Sequence, residues 1–238
     1  MSNTRDLMRQ KMLEVYNKEG KHYLITLAIN LLSSNVHKND KNFKALTHGE
    51  IAETLLEILI TDYMKRNNIN NWIIKRGLII KDAINPNSDF LTELDLTLFT
   101  PSSIILFECK SYGGVIEISK KGSVYREGKN IADVFNQNMV HKKALDTNLE
   151  IAHKGKPSYK IVYFHFALGS LKDSRDDRYK KLMPIITVKN LDNFLDTIKN
   201  SNKEVWNMQK ISRILEIICK NNNKRINAHL NYVKNKHK

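Results

Sequence analysis

Residues 93–114 read ELDLTLFTPSSIILFECKSYGG, in which two apolar segments flank the short polar segment TPSS. Both segments are rich in the aliphatic and aromatic residues that favour strands, and Pro101 suits the second position of a type I turn. If TPSS forms a four-residue hairpin loop, Phe99 pairs with Ile104. The stretch therefore predicts a β-hairpin whose register depends on the length of this turn.

The same register brings acidic side chains together at the far end of the hairpin. Asp95 is expected opposite Glu108, with their Cβ atoms about 4.5–5.5 Å apart, and Glu93 opposite Lys110. Two carboxylates placed in this way repel each other and lose hydration near a buried strand. A divalent cation between them would relieve the repulsion, and carboxylate oxygens suit Mg²⁺ or Mn²⁺. The alternative is a solvated strand end without a site.

The two-residue period of a strand assigns each side chain to a face of the hairpin. Glu108 and Lys110 share one face, and Cys109 points to the other, where it is expected to be a small core residue rather than a nucleophile. The Cys109 face should also hold Leu94, Leu96, Leu98, Ile105 and Phe107. Because both faces are apolar over much of their length, we predict that the hairpin lies in the centre of its sheet.

Helical and strand patterns continue on both sides of the hairpin. Helical periodicity covers residues 3–34, 46–68 and 130–150, and strand patterns cover 71–80, 114–118, 123–126, 160–168 and 183–188. We predict an α/β fold with a central mixed β-sheet flanked by helices. The expected parts are an N-terminal helical extension (1–40), a core (41–190), and C-terminal helices with a basic tail (191–238).

Composition limits the classes of function. The 238 residues include 41% hydrophobic residues, enough for a core, and the net charge of +14 favours a polyanionic partner, nucleic acid first. The alternative is that this charge reflects only a chain rich in Lys and Asn. Two distant cysteines predict neither a disulfide framework nor a cysteine metal site, which favours the cytoplasm. The apolar residues 23–32 are too few to span a membrane, so we expect no membrane partner.

Four short motifs occur in a defined order along the chain. They are HGE at 48–50, ELD at 93–95, ECKSYGG at 108–114 and NQNMVH at 136–141. Together they resemble the nuclease-related domain (NERD) family of the PD-(D/E)xK nuclease superfamily, over roughly residues 45–170. Leu94 stands where the superfamily name has Pro, and Cys109 replaces a more usual aliphatic residue. Neither departure removes a catalytic group.

The resemblance implies a restriction-endonuclease-like core that hydrolyses phosphodiester bonds with Mg²⁺ or Mn²⁺. By position, Asp95 and Glu108 would bind the metal ion, with the backbone carbonyl of Cys109 as a possible third ligand. Lys110 would orient or activate the attacking water and help to offset the charge that develops on phosphorus.

Glu50 has two interpretations. The resemblance implies an outer ligand or a ligand of a second metal ion. However, Thr47 and Glu50 have the spacing of a capping box, which would explain Glu50 without catalysis. Glu53 and Glu57 follow at helical spacing, and they are expected either near the metal ion or in solvent.

Gln137 and His141 are four residues apart, so they share one face of the predicted helix. Without the resemblance, they would be polar residues of a solvated helix surface. With it, Gln137 would lie beside the site, where it positions Lys110, water or a phosphate.

We therefore predict a Mg²⁺-dependent nuclease that acts as an endonuclease. DNA is its expected partner, and RNA is not excluded as a partner. A homodimer is also left open. The alternative function is a non-catalytic or regulatory nucleic-acid-binding module with the same fold. A third interpretation is an interaction domain whose basic surface reflects composition alone.

Overall fold

The computed structural model describes residues 2–33, 41–81, 91–112, 115–152, 159–167, 170–201 and 207–220. Its elements, in chain order, are α1 (Ser2–Ser33), α2 (Lys41–Arg66), β1 (Ile73–Lys81), β2 (Leu91–Phe99), β3 (Ile104–Tyr112), β4 (Ile116–Ile118), β5 (Ser123–Arg126), β6 (Lys129–Asp133), α3 (Val134–Ala152), β7 (Tyr159–Ala167), β8 (Leu171–Asp173), α4 (Asp177–Leu182), β9 (Ile185–Ile186), α5 (Leu191–Lys199) and α6 (Met208–Lys220). The basic tail and the glycines at 113–114 lie outside the described residues.

The main sheet has five strands in the order β1-β2-β3-β7-β9. β1, β2 and β3 are antiparallel, whereas β7 runs parallel to β3 and β9 runs parallel to β7. A second sheet, in the order β6-β5-β4-β8, is built largely from the chain between β3 and α3. The predicted mixed α/β fold is confirmed, and β3 lies at the centre of the main sheet, as the two apolar faces of the hairpin indicated.

The predicted turn register is confirmed. Phe99 pairs with Ile104, and the ladder continues to Leu96 and Phe107. Thr100 closes the loop because its Oγ1 accepts a hydrogen bond from Ser103 N at 2.9 Å and lies 2.8 Å from Ser103 O. The backbone N–H of Thr100 also donates to Ser103 O, at 2.9 Å. These bonds fix the loop length on which the whole register depends.

Helices cover both faces of the main sheet. One buried cluster joins α1, α2 and α5 to the face that holds Leu96, Leu98, Ile105, Phe107 and Cys109. A second joins α3 and α6 to the face that holds Phe99, Ile104 and Leu106. α1 contributes Met12, Leu24, Ala28 and Leu32 to the first cluster, so it packs directly onto the core. None of the helices in the described ranges has a stretch long and apolar enough to cross a membrane.

The predicted face of Leu94 is wrong. Leu94 packs in the second cluster, although Leu96 packs in the first. β1 makes the same change, since Ile74 packs against the first cluster and Leu78 lies in the second. Gly77, between them, has a φ of +60°, a conformation that residues with side chains seldom adopt. The two strands therefore exchange faces together, a change that strict alternation does not foresee.

The predicted helix at 130–150 begins too early. Its first residues form β6, which pairs with β5, and α3 starts at Val134. Asp133 Oδ1 accepts a hydrogen bond from Asn136 N at 3.1 Å, which satisfies a free N–H group at the start of the helix. β8 and α4 were not predicted, and the predicted strand at 183–188 contracts to Ile185–Ile186. These short elements depend on partners distant in sequence.

Two matched substitutions test the hairpin. Thr97 is fully buried, and its Oγ1 has no hydrogen-bond partner, whereas Thr100 Oγ1 closes the turn. We expect Thr97→Val to stabilise the protein by about 1 kcal/mol, because an unsatisfied hydroxyl is removed. Thr100→Val should destabilise it by about 1–3 kcal/mol. Urea denaturation of both variants measures the difference, and shifts of the same sign would contradict this account.

Candidate active site

β3 places Glu108 and Lys110 on the face that packs against α3. Glu108 is completely buried, and its Oε1 accepts a hydrogen bond from Lys110 Nζ. Its Oε2 lies 3.2 Å from Nδ1 of His141 on α3, but without the geometry of a hydrogen bond. Burial alone would raise the pKa of Glu108, but Lys110 and His141 outweigh it and lower the pKa. Glu108 is therefore an ionised carboxylate inside the protein.

Asp95 lies where β2 stops pairing with β3. The ladder ends at Leu96 and Phe107, and Asp95 comes next in β2. Its Oδ2 accepts a hydrogen bond from the backbone N–H of Cys109, at 2.8 Å. Burial, followed by the charge of Glu108, raises the pKa of Asp95 to about 7. The structure thus brings together the two acids that the register predicted to be neighbours.

Glu50 is buried on α2, and its Oε2 accepts a hydrogen bond from Arg76 Nη2 at 3.0 Å. The capping-box interpretation is wrong, because α2 begins at Lys41 and Thr47 lies inside the helix. The prediction that Glu50 binds a metal ion stays a prediction.

Arg76 of β1 lies among the acids of α2. Besides Glu50, its guanidinium contacts Glu53 Oε2 at 3.9 Å and Glu57 Oε2 at 3.6 Å. Burial, then the charges of Asp95 and Glu50, raises the pKa of Glu53 well above its ordinary value. The α2 acids thus form a half-buried row beside Asp95, so the expectation that Glu53 and Glu57 lie in solvent is wrong.

The two polar residues of α3 differ in their contacts. His141 is buried against Glu108, whereas the half-buried Gln137 makes no hydrogen bond with the other described residues. The role of Gln137 beside the site stays a prediction. Cys109 is buried in the first core cluster, and burial raises the pKa of its thiol, which fits the expected core residue rather than a nucleophile.

Sequence reasoning missed His165 and the role of Arg76. His165 of β7 is paired in register with Lys110, so the two side chains share a face of the sheet. Burial lowers the pKa of His165 to about 4, so the ring is neutral near pH 7. His165 interrupts the apolar strand pattern at 160–168, and Arg76 interrupts the pattern at 71–80. A charged or polar residue within an apolar strand is the sequence signal that could have identified both.

The donors at Asp95 and Glu108 fit a hard divalent cation. Among the described residues, no three His, Cys, Asp or Glu side chains form a group that could hold a metal ion. Mg²⁺, however, commonly binds through one or two carboxylates and keeps several waters. Glu108 Oε2 is buried without a hydrogen bond, and the charge of Glu108 disfavours ionisation of Asp95. A cation would satisfy both groups.

Comparison with known protein families identifies the family of the segment that contains these residues. Residues 49–165 match the family model described as the nuclease-related domain (NERD). This segment is a member of that family, and it contains β1 to β3, α3 and most of β7. The mixed sheet flanked by helices is consistent with a nuclease-like core. Comparisons with curated proteins and with solved structures gave no match.

The raised pKa of Asp95 predicts a pH-dependent stability. Between the ordinary Asp pKa near 4 and about 7, the folded chain holds a proton that the unfolded chain has lost. Without metal, this group therefore makes the protein less stable as pH rises through that window. Asp95→Asn should be more stable than the parent at about pH 8, by at least about 1 kcal/mol, and the gap should close towards pH 4.

Urea denaturation in EDTA at several pH values measures this effect. Glu117→Gln is the matched control, because Glu117 is exposed and its ion pair within the described part of the chain is with the exposed Lys172, at 3.0 Å. Its effect should stay within about 1 kcal/mol at every pH. A stability gap for Asp95→Asn that does not change with pH would contradict the assignment.

Proposed function

We propose that this protein is a Mg²⁺-dependent nuclease that hydrolyses phosphodiester bonds in DNA, with Mn²⁺ as an effective substitute. The convergence of Asp95, Glu108 and Lys110, at the point where β2 stops pairing with β3, carries the proposal. The nuclease-related domain supports it at the level of the family.

The residues that would hold the ion are Asp95, Glu108 and the backbone carbonyl of Cys109. When bound, such an ion lowers the pKa of its water and neutralises charge on phosphoryl oxygens. Glu108 suits this role because Lys110 and His141 keep it ionised despite complete burial. Asp95 suits it because its Oδ2 is fixed by the N–H of Cys109.

Lys110 is the proposed catalytic cation. Its ammonium group donates a hydrogen bond to Glu108 Oε1, and 20% of the Lys110 side chain is accessible. From this position it would orient the attacking water and stabilise the negative charge that grows on the phosphoryl oxygens. Gln137 is proposed to assist by binding water or a phosphate.

DNA is the proposed partner because of the charge of the chain. The net charge of +14 favours a polyanion, and phosphate contacts by Lys and Arg make such binding strongly dependent on salt. RNA is the second substrate to be tested. We also propose a cytoplasmic location and a homodimer, and the cleavage test does not depend on either.

Lys110→Ala tests the function directly. The variant should cut DNA at least about 100-fold more slowly than the parent, because the transition state loses its cation. Nicking of supercoiled plasmid in Mg²⁺ measures the rate, and EDTA should abolish cleavage by the parent. Lys172→Ala, which removes an exposed Lys by the same change, is the control and should cut at the parental rate.

Parallel assays separate the alternatives. Duplex DNA, single-stranded DNA and RNA are offered to the same preparations, with binding measured at two salt concentrations. Binding that weakens with salt but leads to no cleavage in Mg²⁺ or Mn²⁺ would indicate a regulatory binding module instead. Full activity of Lys110→Ala would show that the proposed site is wrong.

A further inference from the structure

Arg76 of β1 is paired in register with Leu96, the residue after Asp95, and it lies within the row of acids on α2. Glu50, Glu53 and Glu57 follow at intervals of three and four residues, so they share one helix face. The Arg76 side chain is only 16% exposed. A guanidinium presents several donors in one plane, so a single Arg can serve more than one carboxylate.

We call Glu50 and Glu53 the inner acids of this row and Glu57 the outer acid. Arg76 Nη2 donates to Glu50 Oε2 at 3.0 Å, and its Nη1 donates to Thr54 Oγ1, which fixes the orientation of the plane. Glu53 Oε2 lies farther away, 3.9 Å from Nε. Arg76 is therefore most closely associated with Glu50, the α2 acid that the family resemblance had linked to a metal ion.

The outer acid has a cation of its own. Arg9 of α1 donates to both carboxylate oxygens of Glu57, over distances of 2.8–3.2 Å. Glu57 lies 3.6 Å from Arg76, but this fork from Arg9 already balances its charge. The guanidinium of Arg76 is thus left to balance the inner acids, Glu50 and Glu53.

We propose that Arg76 is a fixed cation in the place that a second divalent ion would take, so that the site binds one ion, at Asp95 and Glu108. Glu50 is then a partner of Arg76 rather than a metal ligand, and Arg76 is a positioning residue. A divalent ion at Glu50 would have to displace the guanidinium or lie against its positive charge, and both are unfavourable. This inference rests on the proposed metal-dependent function and specifies its metal count.

Removal of the guanidinium should create the missing site. In Arg76→Met, Glu50 and Glu53 would keep their carboxylates and lose the cation between them. Such uncompensated acids bind a hard divalent ion or take up protons. Arg76→Lys keeps a positive charge at the same position, so it should preserve the original count.

The experiment counts Mn²⁺ ions bound to the whole 238-residue chain, from the free Mn²⁺ signal in electron paramagnetic resonance. We expect one ion per chain in the parent and in Arg76→Lys, and two in Arg76→Met. The second ion should be lost when Glu50→Gln is added to Arg76→Met. Glu57→Gln, the same change at the outer acid, is the matched control, and the double variant Arg76→Met/Glu57→Gln should keep both ions. Circular dichroism establishes that each variant is folded.

Three outcomes would overturn the inference. The first is a parent protein that binds two ions, one of which is absent from the Glu50→Gln variant. The second is a folded Arg76→Met variant that still binds only one ion. If Arg76→Met does not fold, the parent and Glu50→Gln decide alone, since one ion in each supports the proposal. The third is a parent that binds none, which overturns the proposed metal site as well and is thereby distinguished from the first two.

Discussion

The hydrogen bond from the N–H of Cys109 to the carboxylate of Asp95 is the interaction on which the site depends. It joins β2 to β3 just beyond their last paired residues, where a side chain takes over from the backbone ladder. This bond fixes the Asp95 carboxylate close to Glu108, and it favours the ionised form of Asp95. Without it, Cys109 would have a buried N–H group to satisfy, which proteins seldom tolerate.

The acids around this bond have basic partners on both faces of the sheet. On the α3 face, Lys110 and His141 keep the buried Glu108 ionised. On the α2 face, Arg76 balances Glu50. A buried charge that loses its partner is strongly destabilising, so each of these groups stabilises the fold as well as the site. The charges of the site are therefore balanced within the protein interior, and the contacts that balance them also stabilise the fold.

Sequence reasoning predicted what depends on neighbours along the chain. The TPSS turn gave the register, and the register placed Asp95 beside Glu108. Sequence reasoning failed where a residue or strand distant in sequence determines the local structure. The exchange of faces at Leu94 depends on the positive φ of Gly77 in another strand, and β6 exists because β5 is available to pair with it. Local propensity carries no information about either.

Arg76 shows the same limit at the site itself. Within its own segment, NWIIKRGLII, it reads as a charged residue on a strand, and nothing nearby in sequence identifies a partner. Glu50 reads independently as a helix cap or as a metal ligand. Only the packing of α2 on β1 brings the two charges together, and their contact changes the interpretation of both.

The chain outside the matched family segment also contributes to this balance. Arg9 belongs to α1, which precedes residues 49–165. Its guanidinium nevertheless donates hydrogen bonds to Glu57, which lies in the same row of acids as Glu50. Because Arg9 balances the outer acid, Arg76 is left for the inner ones. α1 packs on the core through Met12 and Leu24, so this arrangement is set by burial rather than by the exposed ion pair alone. The electrostatics of the site therefore extend beyond the segment that defines the family.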